Sequence, residues 1–317
     1  MAEKIATRNA YGQALADLSD RYENLVVLDA DLSNATMTKF FAAKCPDRFF
    51  NCGIAEGNMT GIAAGMAASG LQPFTNTFAV FACGRAFEQI RNSIAYPRLN
   101  VKIVGSHGGV SVGEDGATHQ CVEDFSLMRT LPNMLVCCPC DGNEMRLAVE
   151  ALLNYDGPAY LRLERPATPI VTDSIPDYHF ELGKGCKLRE GTDVTIIAVG
   201  ILVPMALEAA DTLSGMGISA KVIDMHTIKP IDKEIILEAA KDTGCIVTCE
   251  EHSIIGGLGS AVSEVVASSY VVPVVRLGIN DEFGRSGSAS DALKYFRLCP
   301  EEIVSKAQEA ISMKKLG

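Results

Sequence analysis

A glycine-rich stretch between residues 106 and 120 contains an unusual density of side chains that can move protons. His107, Asp115 and His119 lie in it, among four glycines. Imidazole groups transfer protons near neutral pH, and carboxylates bind hydroxyl groups. The stretch follows an apolar run at 101–105 that predicts a buried strand, and open α/β sheets bind ligands where strands end. We predict an active-site loop here; the alternative is a surface loop whose histidines are only solvated.

Glu56 is a second candidate for chemistry. It lies among small and apolar residues, just before a run of small residues at 60–70 that predicts a closely packed helix. A carboxyl group in such surroundings is expected to lose water, which suits an acid with a catalytic role. The alternative is that Glu56 only caps the N-terminus of the helix.

Acidic and basic residues also follow two other predicted strands. Asp29 and Asp31 end the apolar run at 25–32, where they could bind a cation or a sugar hydroxyl, or merely cap the next turn. Arg162 and Arg165 follow the run at 158–163, and guanidinium groups there suit a phosphate. Alternation along a strand sends these two arginines to different faces, so Arg165 is the first candidate and Arg162 the second.

The elements that must position these residues follow an alternating order of strand and helix in both halves of the chain. This order predicts an α/β protein of two domains, each a mainly parallel sheet flanked by helices. Proline and glycine concentrate at 166–192 without a periodic pattern, which predicts a linker. We expect one domain at 1–165 and a second at 193–317. The Gly256-Gly-Leu-Gly259 sequence favours packing at a helix start over nucleotide binding, since the full fingerprint is absent.

Composition excludes several partners. The 317 residues include 48% hydrophobic ones, enough for two cores, and the net charge of −11 disfavours nucleic acid and anionic membranes. No leader or long apolar run is evident, so we expect a cytoplasmic protein. Cys137, Cys138 and Cys140 lack paired C-x-x-C spacing, and we interpret them as buried thiols, without a metal site.

Three motifs resemble one enzyme family. The sequence Gly113-Glu-Asp-Gly-Ala-Thr-His-Gln120, with His107 six residues before it, resembles the substrate loop of transketolases. The sequence Ile54-Ala-Glu56 with Met59 is similar to a motif of thiamine diphosphate enzymes. Ala30-Asp31-Leu32-Ser33 resembles a further transketolase segment. The likeness covers the pyrimidine-binding and C-terminal domains of that family and nearly the whole chain.

For the cofactor, the resemblance implies that Glu56 hydrogen-bonds the aminopyrimidine ring of thiamine diphosphate and activates it. Phe81, and with it Phe78, would line the pocket around this ring, and Asp31 belongs to the same implied cofactor site. Gly84 departs from the family, because many transketolases have Tyr at this position. The stacking surface must therefore be smaller here or come from another residue.

For the substrate, the resemblance implies transfer of a two-carbon ketol unit from a ketose to an aldose. His107 and His119 would hold substrate oxygens and move protons, and Asp115 would bind a hydroxyl group. A sugar phosphate would be received by three residues, Arg8, Ser33 and Arg165.

The resemblance also implies a second polypeptide. Thiamine diphosphate needs a divalent cation, Mg²⁺ or Ca²⁺, held by a Gly-Asp-Gly segment, and no Gly-Asp-Gly occurs in this sequence. We therefore expect an N-terminal transketolase subunit to carry the diphosphate and metal site, in an α2β2 assembly. No protein residue of this chain is predicted to bind the metal.

Three alternatives stay open from the sequence. Deoxyxylulose-phosphate synthase shares the Asp-Gly-x-Thr-His-Gln sequence, but His107 and Glu123-Asp124 favour a transketolase. The β subunit of a 2-oxoacid dehydrogenase pairs the same two domains, but the Gly-Glu-Asp-Gly loop is not expected in it. A non-catalytic partner subunit could also retain the fold. Glu250-Glu-His252 resembles a turn at an interface in the family, and His252 is not predicted to be catalytic. The natural sugars are not determined by the sequence.

Overall fold

The computed structural model describes residues 3–176 and 178–314, and it is an α/β structure as predicted. The strands are β1 (Lys4–Ala6), β2 (Leu25–Asp29), β3 (Phe49–Asn51), β4 (Gln72–Phe78), β5 (Lys102–Ser106), β6 (Leu135–Cys137), β7 (Ala159–Arg162), β8 (Ala167–Pro169), β9 (Cys186–Arg189), β10 (Val194–Ala198), β11 (Ala220–Asp224), β12 (Thr227–Lys229), β13 (Ile246–Ser253) and β14 (Val274–Ile279).

The helices follow the strands in alternating order. They are α1 (Thr7–Leu18), α2 (Ser33–Thr36), α3 (Lys39–Lys44), α4 (Glu56–Ala68), α5 (Phe87–Gln89), α6 (Asp124–Thr130), α7 (Gly142–Asn154), α8 (Leu202–Gly215), α9 (Lys233–Thr243), α10 (Leu258–Ser269), α11 (Ala289–Tyr295) and α12 (Pro300–Lys314). Short 3₁₀ turns occupy Pro46–Arg48 and Thr172–Ser174, and π-helical segments occupy Phe81–Arg85 and Ile90–Ala95.

Two sheets carry the architecture. The larger has the order β12-β6-β7-β5-β4-β2-β3, and all its pairs are parallel except β12 with β6. The smaller has the order β14-β13-β10-β11-β9, and only β9 runs antiparallel to its neighbour. The strands of these parallel sets are mostly buried, as expected when helices cover both faces, except β3 at the edge of the larger sheet. The predicted fold class is confirmed.

Short strands tie the two halves together. Strand β12 follows β11 in the chain but pairs with β6 of the larger sheet. Within the segment predicted to be a linker, β8 pairs with β1 and β9 forms the edge of the smaller sheet. The proline and glycine content of this segment hid both strands, because three or four residues are too few to show a periodic pattern. Helices α11 and α12 were not predicted either.

Local sequence explains several helix starts. Asp141 accepts a hydrogen bond from the backbone N–H of Glu144 and begins α7, as predicted. Asp232 does the same for α9, accepting from the N–H groups of Glu234 and Ile235. In the part of the chain that the structure describes, no helix combines the length and the apolar character needed to span a membrane.

The cores of the two halves are continuous. One apolar cluster contains residues of both sheets, such as Val136 and Ile197. Cys137, Cys138 and Cys140 each belong to a different cluster, so their thiols point apart and do not form a common metal site. Burial raises the pKa of each of these thiols well above its ordinary value. All eleven cysteines are free thiols.

Candidate active site

The candidate residues converge because β2, β4, β5 and β7 are parallel neighbours. The carboxyl ends of parallel strands meet at one edge of the sheet, so the loops that follow them lie side by side. Phe78 ends β4, Ser106 ends β5 immediately before His107, and Arg162 ends β7 three residues before Arg165. Residues that are far apart in the sequence therefore lie close together in space.

Glu56 begins α4, and its side chain is 3% exposed. Its carboxylate does not cap the helix. The hydroxyl of Thr77 on β4 donates to Glu56 Oε1 at 3.2 Å, and Nη1 of Arg85 lies 3.3 Å from both carboxylate oxygens. A buried carboxylate held by a hydroxyl and a cation keeps one fixed position at the sheet edge.

Four rings form a cluster at this sheet edge, and the Arg85 guanidinium connects it to Glu56. The Phe78 and Phe81 centroids are 6.0 Å apart, and the rings are stacked. The Phe78 ring lies 4.3 Å from that of His107, and the Phe81 ring lies 5.4 Å from that of His119. The structure therefore brings together both phenylalanines and both histidines that the sequence pointed to.

Arg85 is the functional candidate that the sequence analysis missed. The guanidinium of Arg85 lies 4.0 Å from the Phe81 ring centroid, as well as contacting Glu56. The segment Phe81–Arg85 is π-helical. A π turn holds one residue more than an α turn, so α-helical spacing gives the wrong direction for Arg85. A Cβ added at Gly84 would meet no atom within 4 Å, so a larger side chain has room there.

The loop after β5 is less exposed than its composition indicated. Residues 106–113 are buried, and only 114, 115, 117 and 118 are exposed. The first half of this glycine-rich loop is therefore not a solvated surface loop. A Cβ on Gly108 would come within 2.0 Å of Arg162, and one on Gly109, at φ +74°, within 2.2 Å of Glu251. These glycines are needed for close packing.

His107 combines a left-handed backbone conformation with a lowered pKa. Its backbone has φ 59°, in the left-handed region, and its side chain is 3% exposed. Burial, followed by the positive charges of Arg8 and Arg165, lowers the pKa of His107 to about 3. The ring is thus neutral at physiological pH, and its Nδ1 shares a 2.7 Å hydrogen bond with the Ser106 hydroxyl. It can donate or accept a hydrogen bond but does not carry a charge.

The residues assigned to a phosphate lie at one side of the histidines. Arg8, on α1, donates to the carbonyl oxygen of Ala35 at 2.9 Å. Ala35 lies on α2, two residues after Ser33. Burial, and then the charge of Arg165, lowers the pKa of Arg8. Arg165 Nη1 hydrogen-bonds the carbonyl oxygen of Val112 and lies 3.7 Å from Asp115. Two neighbouring guanidinium groups create a local positive potential suited to an anion.

Arg162, the second phosphate candidate, is not in this group. It is 1% exposed and lies 3.5 Å from Asp124 and 3.6 Å from Glu251. Burial alone would lower the pKa of Arg162, but Asp124 and the other nearby negative groups raise it overall. Arg162 is therefore a structural cation where the two domains meet. The prediction that it could bind a phosphate was wrong.

The two aspartates after β2 have different environments. Asp29 is fully buried and accepts hydrogen bonds from the Thr36 and Thr38 hydroxyls and from the N–H of Leu32, so it caps the following turn. Asp31 is exposed, has φ 65° and accepts from the Asn51 side chain at 3.0 Å. Among the described residues, neither contacts Glu56 or the aromatic rings, and the cofactor role of Asp31 stays a prediction.

The Glu250–His252 segment joins the two domains. It was expected to form a turn, but it lies within β13. Glu251 accepts from the N–H groups of Val110 and Ser111 in the loop after β5, at 2.7 Å for Val110. His252 Nε2 accepts from the N–H of Ser126 at 3.3 Å. The structure therefore places this segment in an interface and not among the candidate catalytic rings, as expected.

Two family models match the chain. Residues 3–170 match the transketolase pyrimidine binding domain, and residues 183–303 match the transketolase C-terminal domain. The first match alone covers more than half of the chain. The fold and the order of the two domains are those that the sequence motifs indicated.

Two relatives are similar over almost their whole length. A protein of Methanocaldococcus jannaschii named as a transketolase C-terminal section is 51% identical over 97% of this chain and 96% of its own. A 6-deoxy-6-sulfo-D-fructose transketolase subunit of a Clostridium species is 45% identical over 97% and 95%.

One solved structure matches the whole chain. It is described as a split gene transketolase in the form of an inactive β4 tetramer, and it has 50% sequence identity and a TM-score of 0.90, covering 98% of this chain and 100% of that one. The chain therefore belongs to the transketolase family, as the C-terminal section of a split transketolase.

Proposed function

We propose that this chain is the C-terminal subunit of a two-chain transketolase that moves a two-carbon ketol unit from a ketose to an aldose. The observation that carries the proposal is the convergence of Glu56, the Phe78–Phe81 pair, His107 and His119 at one sheet edge. The competing dehydrogenase and synthase activities have no such specific observation in their favour.

The residues at this edge fit an aminopyrimidine ring. A flat nitrogen-rich group, the Arg85 guanidinium, already stacks on Phe81 while it contacts both oxygens of Glu56. An aminopyrimidine needs the same two features, an aromatic face and a carboxylate at its edge. Thiamine diphosphate, when bound, supplies the nucleophilic carbon and the electron sink for the reaction.

The protein's own residues would position the reactants and move protons. Glu56 would hold a proton at its buried carboxylate, in contact with the ring nitrogen of the cofactor. Neutral His107, fixed by Ser106, would hold a substrate oxygen by a hydrogen bond. His119, hydrogen-bonded through Nδ1 to Thr118 at 2.9 Å, would exchange a proton with a substrate hydroxyl.

The far end of the sugar would meet the positive side of the site. Arg8 and Arg165 would bind a terminal phosphate, with Ser33 nearby, and Asp115 would accept a hydrogen bond from a sugar hydroxyl. The name of the Clostridium relative specifies a sulfonated sugar, whose sulfonate is an anion of similar shape. We therefore propose an anionic sugar without specifying which one.

We infer a second chain because this one lacks the segment that binds the metal and the diphosphate. Its 317 residues contain no Gly-Asp-Gly segment, so we propose that an N-terminal subunit binds the diphosphate and a Mg²⁺ or Ca²⁺ ion. The solved relative is described as inactive as a β4 tetramer, which supports dependence on a partner. An α2β2 assembly would place each cofactor between unlike subunits. We keep the proposed domain bounds at 1–165 and 193–317, and the cytoplasmic location remains a prediction.

Reconstitution tests this function. The purified chain, an N-terminal transketolase subunit from the same source, and their mixture would each be assayed with a ketose phosphate donor and an aldose acceptor. Only the mixture should transfer the two-carbon unit, and only with thiamine diphosphate and Mg²⁺ present. Decarboxylation of a 2-oxoacid by the mixture, without ketol transfer, would contradict the proposal and favour the dehydrogenase alternative. Ketol transfer by this chain alone would contradict the partner requirement.

A further inference from the structure

Among the residues that the structure describes, the guanidinium of Arg85 contacts the two candidate cofactor residues, Glu56 and Phe81. Its Nη1 contacts both oxygens of Glu56 at 3.3 Å, and its Cζ lies 4.0 Å from the centroid of the Phe81 ring. The Arg85 side chain is 52% exposed, whereas Glu56 is 3% exposed. Arg85 therefore reaches inward from the surface and covers a buried carboxylate.

The same two contacts are those proposed for the cofactor ring. A guanidinium is planar, delocalised and rich in N–H donors, so it can stack on an aromatic face and point its edge at a carboxylate. An aminopyrimidine is also planar and also offers nitrogen to a carboxylate. Both groups cannot occupy the face of Phe81 beside Glu56 at the same time.

We infer that Arg85 is a placeholder in the cofactor pocket of this subunit, and that it must swing away when the aminopyrimidine ring enters. This inference rests on the proposed function, because it takes Glu56 and Phe81 as the cofactor residues. In the chain without cofactor, Arg85 balances the charge of Glu56 and keeps water from the Phe81 face.

The backbone beneath Arg85 suits such a movement. Arg85 ends the π-helical segment Phe81–Arg85, and the next residue, Ala86, leaves helical geometry at φ −101° and ψ 10°. Gly84 beside it has no atom within 4 Å of an added Cβ, so the neighbouring space is open. An exposed arginine with free space next to it can leave the pocket by side-chain rotation, without unfolding the helix.

Competition of this kind lowers the apparent affinity for the cofactor. Only the fraction of molecules with Arg85 out of the pocket can bind, and the measured dissociation constant rises by the inverse of that fraction. A half-exposed ion pair together with one cation–π contact favours the closed state by about fivefold. Removing the side chain should remove this penalty.

The test measures binding of thiamine diphosphate by calorimetry to the assembled two-chain complex, with saturating Mg²⁺. Arg85→Ala should bind about fivefold more tightly than the wild type, and Arg85→Lys should lie between them, because an ammonium lacks the planar stacking surface. Arg91→Ala is the matched control. Arg91 is an exposed arginine on the next π-helical segment, and its guanidinium donates a hydrogen bond to its neighbour Asn92. Its loss should leave the dissociation constant unchanged.

The outcomes separate the inference from the proposed function. Weaker binding by Arg85→Ala would overturn the inference, since Arg85 would then be a cofactor ligand. Unchanged binding would overturn it as well, because no competition would exist. If the wild-type complex and all variants bind no thiamine diphosphate, the proposed function itself fails, and the inference fails with it. Tighter binding by Arg85→Ala, but not by Arg91→Ala, supports both.

Discussion

The open edge around Glu56 and the sealed junction around Arg162 are both rich in charge, but they differ in how far their charged groups are buried. At the open edge, Glu56 is paired with a half-exposed arginine, and His119 and Asp115 reach the surface. At the junction, Arg162, Asp124 and Glu251 are all buried within the chain. The first set can be rearranged by a ligand, whereas in the second the opposite charges already face one another inside the chain.

Arg162 and Arg165 show this difference most directly. They are three positions apart at the end of β7, yet the Arg162 side chain is 1% exposed and the Arg165 side chain is 35% exposed. Burying a charge costs several kcal/mol unless an opposite charge compensates for it. A cation at the junction therefore stabilises the fold, while one at the open edge remains available to bind an anion.

The largest effect is expected at the open edge. Glu56→Gln keeps the side-chain volume but cannot take up and return a proton, so turnover of the reconstituted enzyme should fall about 10³-fold. Unfolding of the variant should be unchanged, since the amide still accepts from Thr77. Glu88→Gln, at an exposed position nearby, is the control and should retain full activity. Activity within about tenfold of wild type in Glu56→Gln would show that Glu56 is not the activating acid.

The second effect separates the two arginines by stability. Arg162→Met should lower the free energy of unfolding by about 3 kcal/mol, because Asp124 and Glu251 would be left buried without their cation. Arg165→Ala should lower it by less than about 1 kcal/mol, as for a partly exposed pair. Urea unfolding monitored by circular dichroism measures both. Equal losses in the two variants would remove the distinction between the junction and the open edge.

The third effect is a pH dependence at the junction. Glu164 accepts from the N–H of Ile201 at 3.1 Å, and burial raises its pKa from 4.5 to about 8. Between pH 4.5 and 8 the folded chain binds a proton that the unfolded chain has lost, so this group's contribution to stability falls as the pH rises. The slope from a single group is at most about 1.4 kcal/mol per pH unit.

Glu164→Gln should flatten that slope, since the amide does not titrate. Unfolding midpoints measured from pH 5 to 8 for the wild type, Glu164→Gln and the exposed control Glu23→Gln would show it. The control should retain the slope of the wild type. A wild-type stability that rises over this range, with no change in Glu164→Gln, would mean that Glu164 is ionised in the folded chain.

Sequence alone was sufficient for the parts of this protein that local chemistry determines. The apolar runs along the chain predicted β2, β5 and β7. Motif likeness identified Glu56, Phe81, His107 and His119, because those residue types stand in a fixed order with fixed spacing. These predictions did not require knowledge of which segments meet in space.

Only the tertiary structure decided how the charged residues are used. Arg162 and Arg165 have the same chemistry, and only the packing of the second domain against β7 buries one of them. The glycines at 108 and 109 indicated flexibility, but they allow contact with Arg162 and Glu251. The π-helical segment turned Arg85 toward Glu56, which no α-helical spacing predicts. Burial and backbone direction depend on contacts between distant segments, and the spacing of residues along the chain does not predict such contacts.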